Sequence, residues 1–369
     1  MTMKNKAIYF YQYLPPWRID VFNEIGKYYE LTIVFTNAES KGFTYNRNLL
    51  LSKLINIKTI FLNTGIKIGS RVIRTGIRKI IQNINPDIIF SHEYSPTSLF
   101  ASLYKKEFNY KLVITTSDNL NMAINTRGIK FWIRKFILNH SDFLIVYSDA
   151  VRSYYSNEFP NLKIGICPNI QNPSSLLENK KYFPPIIANY RKNFGITNED
   201  KIILYIGRLV KVKGLDLLID AFSKVQYQNY KLVIVGKGDM ENQLKEQARN
   251  YNISDKVIFA GFFSGAELYA WYEIANYFIL PSRYEPFGAV VNESLVFGCP
   301  VVASKYIGAT DFLNENNSII FDPLNSTDFK TSLEQACNRF AAKNNHRVNL
   351  MPVSFEQYVS VFSSENIGL

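Results

Sequence analysis

The chain is poor in cysteine, poor in acidic residues over its first half, and without any long apolar run. Its 369 residues include only Cys167, Cys299 and Cys337. Three widely spaced cysteines make neither a disulfide framework nor a zinc site, and they suit a reducing compartment. No stretch approaches the roughly 18 apolar residues that a membrane span requires. The opening text, Met1-Thr-Met-Lys-Asn-Lys-Ala-Ile-Tyr9, runs straight into an apparent strand, with no signal-peptide core or cleavage site. The expectation is a cytoplasmic protein. No RNP, KH, zinc-finger or helix-turn-helix signature is present, so a specific nucleic-acid partner is not expected. Tandem repeats and low-complexity tracts are also absent.

The shortage of acid is local. Residues 1–185 carry 24 Lys+Arg against 12 Asp+Glu, whereas the remainder carries 18 against 19. The net charge of +11 therefore belongs to the first half. Such asymmetry concerns partners and not fold. An anionic membrane surface, an acidic substrate and nucleic acid are the classes it admits.

What is present is a βα rhythm. Residues 7–13, 31–35, 86–90, 111–115 and 142–146 read as short, doubly buried strands with helices between them. The Pro-rich text around 172–198 breaks regular structure and reads as an interdomain link. The rhythm restarts at 201–206, 231–235, 257–260, 277–280 and 300–303. An α/β fold follows, with two doubly wound halves and a cleft between them. The length is comfortable for two domains.

Four pieces of the second half fall just after expected strands: Gly207-Arg208, Lys213-Gly214, Gly236-Lys-Gly238, and Glu285-Pro-Phe-Gly-Ala-Val-Val-Asn-Glu293. Strand ends of one parallel sheet share an edge, so these pieces are expected to be neighbours. Arg208 offers a planar fork of donors and Lys213 a compact charge, both suited to a diphosphate. Glycines let the backbone approach phosphates. The helix N-terminus at Gly288, Ala289 and Val290 favours an anion. Eight residues of helix rise about 12 Å at ~1.5 Å each, roughly the span from a hexose to the ribose of its nucleotide. Glu285 would then hold sugar hydroxyls and Glu293 the ribose. A Glu-x7-Glu pair by itself is equally an ordinary solvated helix face. The flanking text, and not the pair, carries the reading.

Together with Gly261-Phe262, Leu280-Pro-Ser282 and Gly298-Cys-Pro-Val-Val-Ala-Ser304, these residues resemble the family-4 retaining glycosyltransferases of GT-B architecture (glycosyl transferases group 1). The likeness is tight over 200–325 and holds in outline over the first half, including Tyr13-Leu-Pro-Pro-Trp-Arg18. It implies two Rossmann-like doubly wound domains facing a central cleft. The first, 1–180, would bind the acceptor and be completed by a C-terminal helix at 352–369. The second, 190–345, would bind the nucleotide sugar. It further implies retention of anomeric configuration, no metal and no cofactor, with a UDP-sugar ahead of a GDP-sugar as co-substrate. The implied catalytic set is Arg208, Lys213 and Glu285, to which Asp118 is added as a candidate from its own place after a strand. The implied donor site is Gly207, Gly236, Phe262, Phe287, Gly288, Ala289, Val290 and Glu293. Arg18 and His92 are acceptor-side candidates, although Arg18 reads equally as a surface ion pair, His92 as a structural histidine and Asp118 as a helix cap. The sequence departs from the family at Leu14-Pro15-Pro16-Trp17, at Thr115-Thr-Ser-Asp118 and at Gly308-Ala-Thr-Asp311.

Two further segments read as amphipathic basic helices. One is 127–138, with Arg127, Lys130 and Arg134 on one face and Ile129, Trp132, Ile133, Phe136 and Ile137 on another. The second is 71–81, with Arg71, Arg74 and Arg78 opposite isoleucines. The bland reading is a core-facing stripe with a solvated back. The sharper one sets the cationic backs against an anionic bilayer, where each contributes about 1 kcal/mol. The resulting expectation is a peripheral enzyme on the inner face of the plasma membrane. It would extend a glycan or polyprenyl-linked acceptor for capsule, O-antigen or exopolysaccharide. A soluble transferase with a small acceptor is the alternative, and a basic nucleic-acid binder a remote one.

Overall fold

The β-rich runs of both halves pair in parallel, because each is apolar on both faces and must be covered by helices on both sides. The computed structural model describes residues 4–37, 46–68, 71–225, 229–342 and 347–369. The chain divides into two compact units, Met1–Asn172 with Ser354–Leu369, and Pro173–Val353.

The first unit contains β1 (Lys6–Tyr11), β2 (Glu30–Phe35), β3 (Lys58–Phe61), β4 (Gly65–Ile68), β5 (Arg71–Arg74), β6 (Ile88–His92), β7 (Lys111–Thr115), β8 (Phe143–Val146) and β9 (Lys163–Ile166). Seven of these form one parallel sheet in the order β3-β2-β1-β6-β7-β8-β9, and β4 and β5 form a separate antiparallel hairpin. Ile8, Phe10, Val34, Ile89, Leu112, Ile114, Leu144 and Val146 from the strands join Ile81, Ala101, Ile137 and Leu138 from the helices in one buried cluster. The tail is held to this unit by the Tyr29 hydroxyl, which donates to Phe362 O at 2.9 Å, and by Phe90 against Phe362. Its short helix starts with a capping box of Ser354 and Gln357.

The second unit contains β10 (Lys201–Ile206), β11 (Tyr230–Val235), β12 (Val257–Gly261), β13 (Tyr277–Leu280), β14 (Val301–Ser304) and β15 (Ser318–Phe321) in the parallel order β12-β11-β10-β13-β14-β15. The strand order reverses between β10 and β13, and between β1 and β6 in the first unit. At such a switch point the flanking loops diverge, leaving a crevice at the strands' carboxyl ends.

Several expectations are corrected. The short edge strands β3, β9 and β15 are absent from the sequence reading, each a partly buried four-residue run, whereas β12, also at an edge, is read at 257–260. The segment 172–198 is no irregular link. It folds as helix Pro173–Leu177, a 3-10 stretch Glu178–Tyr182 and helix Phe183–Phe194. Pro184 and Pro185 stand in the first turn of that helix, where a missing N–H costs nothing.

The helix expected over 71–81 begins only at Ile77, behind the left-handed Gly76, and residues 71–74 are β5. Its cationic back is largely engaged. Arg74 donates to Thr36 O and to Asn37 Oδ1, and Arg78 pairs with Glu107. The side chain of Arg71 falls outside the described residues.

Candidate functional site

In the second unit the four motif pieces are laced together by main-chain hydrogen bonds. Gly207 N donates to Val235 O (3.0 Å), Leu209 N to Lys237 O (3.0 Å) and Gly236 N to Gly261 O (2.8 Å). The loop after β10 therefore lies along the loop after β11. Gly236 is at φ +145°, and a Cβ there would overlap the carbonyl oxygen of Gly207. The close approach of the two loops thus requires glycine.

Lys213 ends a 3-10 turn, Lys211–Lys213, that leads into helix Leu215–Ser223. That turn is clamped from the other side of the switch point. Arg283 donates to both carboxylate oxygens of Asp216 (2.7 and 2.8 Å) and to Lys211 O (2.8 Å), while its own N–H bonds Val212 O (2.8 Å). Burial works to raise the Asp216 pKa, but hydrogen bonds from Arg283 and Lys211 outweigh it and hold the carboxyl down to about 2. Neither Asp216 nor Arg283 is in the expected site. Nothing in sequence separates a clamp residue from an ordinary surface charge.

Glu285 lies in the loop after β13, secured by its N–H to Tyr306 O (3.1 Å) and by Gly308 N to its carbonyl (3.0 Å). The Gly308-Ala-Thr-Asp311 departure is thereby brought beside Glu285. Lys213 and Glu285, expected to face phosphate and sugar respectively, form an ion pair with each other, both side chains mostly buried. Arg208 is exposed, and its guanidinium has no partner among the described residues.

Helix Ala289–Val296 starts at Gly288 in the left-handed region (φ +98°), with no side-chain cap. Glu285 precedes it, so the two glutamates are not on one continuous helix, and Glu293 stands little more than one turn in. The Tyr272 hydroxyl, wholly buried, donates to Glu293 Oε2 at 3.0 Å and approaches Val290 O at 3.4 Å. Burial and the neighbouring Glu293 push the Tyr272 pKa well up, so the phenol stays a donor and orients the carboxylate. Tyr272 sits 21 residues before Glu293 in an apolar-looking helix, and sequence reading did not single it out. Phe287 is buried edge-on against Phe312, whereas Phe262, just past β12, is 66% exposed.

The first unit gathers a different set at the ends of β1, β6 and β7. Arg18 is 1% exposed, which removes the surface-pair reading. It donates to Pro168 O at 3.4 Å and lies 6.0 Å over the Tyr147 ring, and its Nε has no hydrogen-bond partner among the described residues. His92 stacks on Tyr11 (4.2 Å, 10°) and shares a hydrogen bond with Thr115 Oγ1 (3.0 Å). Glu93 takes a left-handed backbone (φ +63°), a costly state for a residue with a Cβ. Its carboxylate is anchored by Ser117 N (2.8 Å), Ser117 Oγ (2.5 Å) and Thr116 Oγ1 (3.1 Å).

Asp118 is buried. It accepts from Tyr155 (2.8 Å) and pairs with Arg134 (3.1 Å), while the adjacent helix is capped by Asn119 instead. Burial, with Glu93 adding to it, raises the Asp118 pKa against the pull of Arg134. Arg134 is itself buried and stacks on Tyr94 (4.7 Å), so it is no part of a cationic back.

Burial, reinforced by Arg18, lowers the His92 pKa from 6.5 to about 3. The ring is therefore neutral near pH 7, and its 3.4 Å approach to Glu93 is not an ion pair. Between pH 6.5 and 3 the unfolded chain binds a proton that the fold refuses. The His92 contribution to stability is thus complete above pH 6.5 and declines as pH falls toward 3. Urea midpoints from pH 7 to 4 should fall less steeply in His92→Gln than in the parent. Equal slopes would mean that the folded ring is protonated.

Residues 187–348 match the family described as glycosyl transferases group 1. Over 168 residues the chain is 36% identical to an uncharacterized glycosyltransferase of Methanocaldococcus jannaschii, covering 45% of this chain and 43% of that protein. Over 190 residues it is 32% identical to the alpha-monoglucosyldiacylglycerol synthase of Streptococcus pneumoniae, covering 49% of this chain and 41% of that one. The matched segments span less than half the length of these relatives. In fold the chain resembles the Anabaena protein HepE, solved in complex with UDP. The TM-score is 0.72 at 17% identity, over 98% of this chain and 97% of that one.

Proposed function

The chain carries a glycosyl transferases group 1 domain on a GT-B fold, and from that premise we propose that it is a family-4 retaining glycosyltransferase, moving a sugar from a nucleotide diphosphate sugar to a lipid-linked glycan acceptor. The observation that carries the reading is the mostly buried Lys213–Glu285 pair at the β10/β13 switch point, where Arg208 at the end of β10 has no partner among the described residues. A lysine and a carboxylate meet there at the end of a parallel sheet, with Arg208 just past β10 and an uncapped helix N-terminus close in sequence.

Charge builds on the departing diphosphate as the glycosidic bond breaks. Arg208, Lys213 and the N–H groups at Ala289 and Val290 are the groups suited to disperse it. Retaining transfer then needs no strong base from the protein, since a departing phosphate oxygen can accept the acceptor's proton. Glu293, oriented by Tyr272, is the ribose ligand in this reading, and Glu285 faces the sugar. Phe262 offers an exposed ring beside the donor loops. A UDP-sugar is favoured by the likeness in fold to a UDP complex. A lipid-linked acceptor, met at the inner membrane face during surface-polysaccharide synthesis, is supported by the likeness to the pneumococcal alpha-monoglucosyldiacylglycerol synthase and by the basic first half.

The test is a thermal-shift titration of the full chain with UDP, GDP and dTDP, on wild type and Glu293→Ala. A nucleotide at 100 times its Kd should add about 2.7 kcal/mol of stability. A shift with UDP that disappears in Glu293→Ala supports the assignment. No shift with any of the three nucleotides would sink it.

A further inference from the structure

Helices Leu120–Asn125 and Ile129–Asn139 of the first unit turn much of their apolar surface away from the core. Ile129 is 76% exposed and Trp132 65%, and Leu120, Met122 and Ile124 are exposed as well. The second helix reaches the core through Arg134, Ile137 and Leu138 instead. The inward pull of Asp118 on Arg134 sets that rotation. Ile129, Trp132 and the half-buried Phe136, at i, i+3 and i+7, are left on the outer face. Arg134 also donates to Ala123 O at 2.9 Å and to Thr126 Oγ1 at 2.5 Å. These bonds tie the two helices together, so their exposed side chains belong to one motif.

The surroundings of this surface are cationic. No Asp or Glu occurs between Asn119 and Ser141, and Arg127, Lys130 and Lys135 are exposed there. Lys135 Nζ lies 5.8 Å over the Trp132 ring. An exposed apolar patch with a cationic fringe and a tryptophan at its centre has the chemistry of the headgroup–acyl boundary. No helix among the described residues is long and apolar enough to cross a membrane. A second copy of the chain fits this surface poorly, since a twofold contact would bring two cationic fringes together.

We propose that this pair of helices docks the first unit on an anionic bilayer. Ile129 and Trp132 enter the acyl boundary, and Arg127, Lys130 and Lys135 face lipid phosphates. The inference rests on the lipid-linked acceptor read above, to which it would bring the enzyme. Of the expected cationic backs it keeps Arg127 and Lys130, whereas Arg134, Arg74 and Arg78 are engaged within the fold.

Co-sedimentation of the full chain with vesicles of phosphatidylcholine alone, or mixed with phosphatidylglycerol, tests it. Wild type should sediment with the anionic vesicles only. Ile129→Ser/Trp132→Ser should lower the partition coefficient at least tenfold, with an unchanged circular dichroism spectrum. Lys130→Glu/Lys135→Glu should lower it severalfold and flatten its salt dependence. Wild type failing to sediment, or the serine variant sedimenting like wild type, would overturn the proposal. So would a wild-type dimer that the serine variant splits while vesicle binding is unchanged. UDP thermal shifts on the same samples separate the two readings. A shift without vesicle binding removes only the docking surface, and vesicle binding without a shift removes only the transferase reading.

Discussion

Arg208→Ala is expected to lower kcat by about 10²- to 10³-fold, with a smaller change in KM. The guanidinium stands exposed at the end of β10 with no partner among the described residues, so removing it breaks no fold contact. In the proposed reaction its value lies in charge that grows only as the diphosphate departs, and removing one such preorganised donor costs about 3–4 kcal/mol of transition-state stabilisation. Arg208→Lys should recover only part of the loss, because a single ammonium does not reproduce a two-pronged fork. Initial rates with a saturating UDP-sugar, beside melting temperatures, separate this from unfolding. An alanine variant with parental kcat would show that Arg208 is a surface residue, and Lys213 would have to carry the leaving group alone.

Gly236→Ala is expected to destabilise the second unit by about 3 kcal/mol through overpacking against the backbone, which lowers Tm by roughly 6–12 °C for a unit of this size. The new methyl would meet the Gly207 carbonyl oxygen, and neither partner is the end of a flexible side chain. Relief would require parting the loops after β10 and β11, breaking the bond from Leu209 N to Lys237 O. The nucleotide-dependent shift should therefore go with the stability. Gly195→Ala is the control. It too has positive φ, but nothing lies near its missing Cβ, so it should cost only about 1–2 kcal/mol for the left-handed backbone. If the two variants melt alike, the cost at Gly236 is conformational, and the loops need no close approach.

The βα rhythm was legible because strands buried on both faces are written as continuous apolar runs. The interior strands β7, β10 and β13 coincide with their sequence readings, while the edge strands β3, β9 and β15 escaped. The motif pieces after β10, β11 and β13 were legible for a related reason. A parallel sheet delivers all its carboxyl ends to one edge, so position in the rhythm already implies neighbourhood. Local grammar misled where tertiary context reassigns a residue. Pro184 and Pro185 looked like breakers but open a helix, and residues 71–74 looked helical but pair as a hairpin strand.

By itself the sequence determined the fold class, the restart of the rhythm and the family likeness, since periodicity, glycine positions and spacing are local properties of the chain. Only the tertiary structure decided how each ionisable group is used. Asp118 and Arg134 are 16 residues apart and meet in the core, so a residue read as a membrane-facing cation became a buried partner, and Ile129 and Trp132 turned outward in its place. Lys213 met Glu285 and Tyr272 met Glu293 across 72 and 21 residues. Charge pairing and burial depend on distances that the fold sets, and the order of residues along the chain does not contain them.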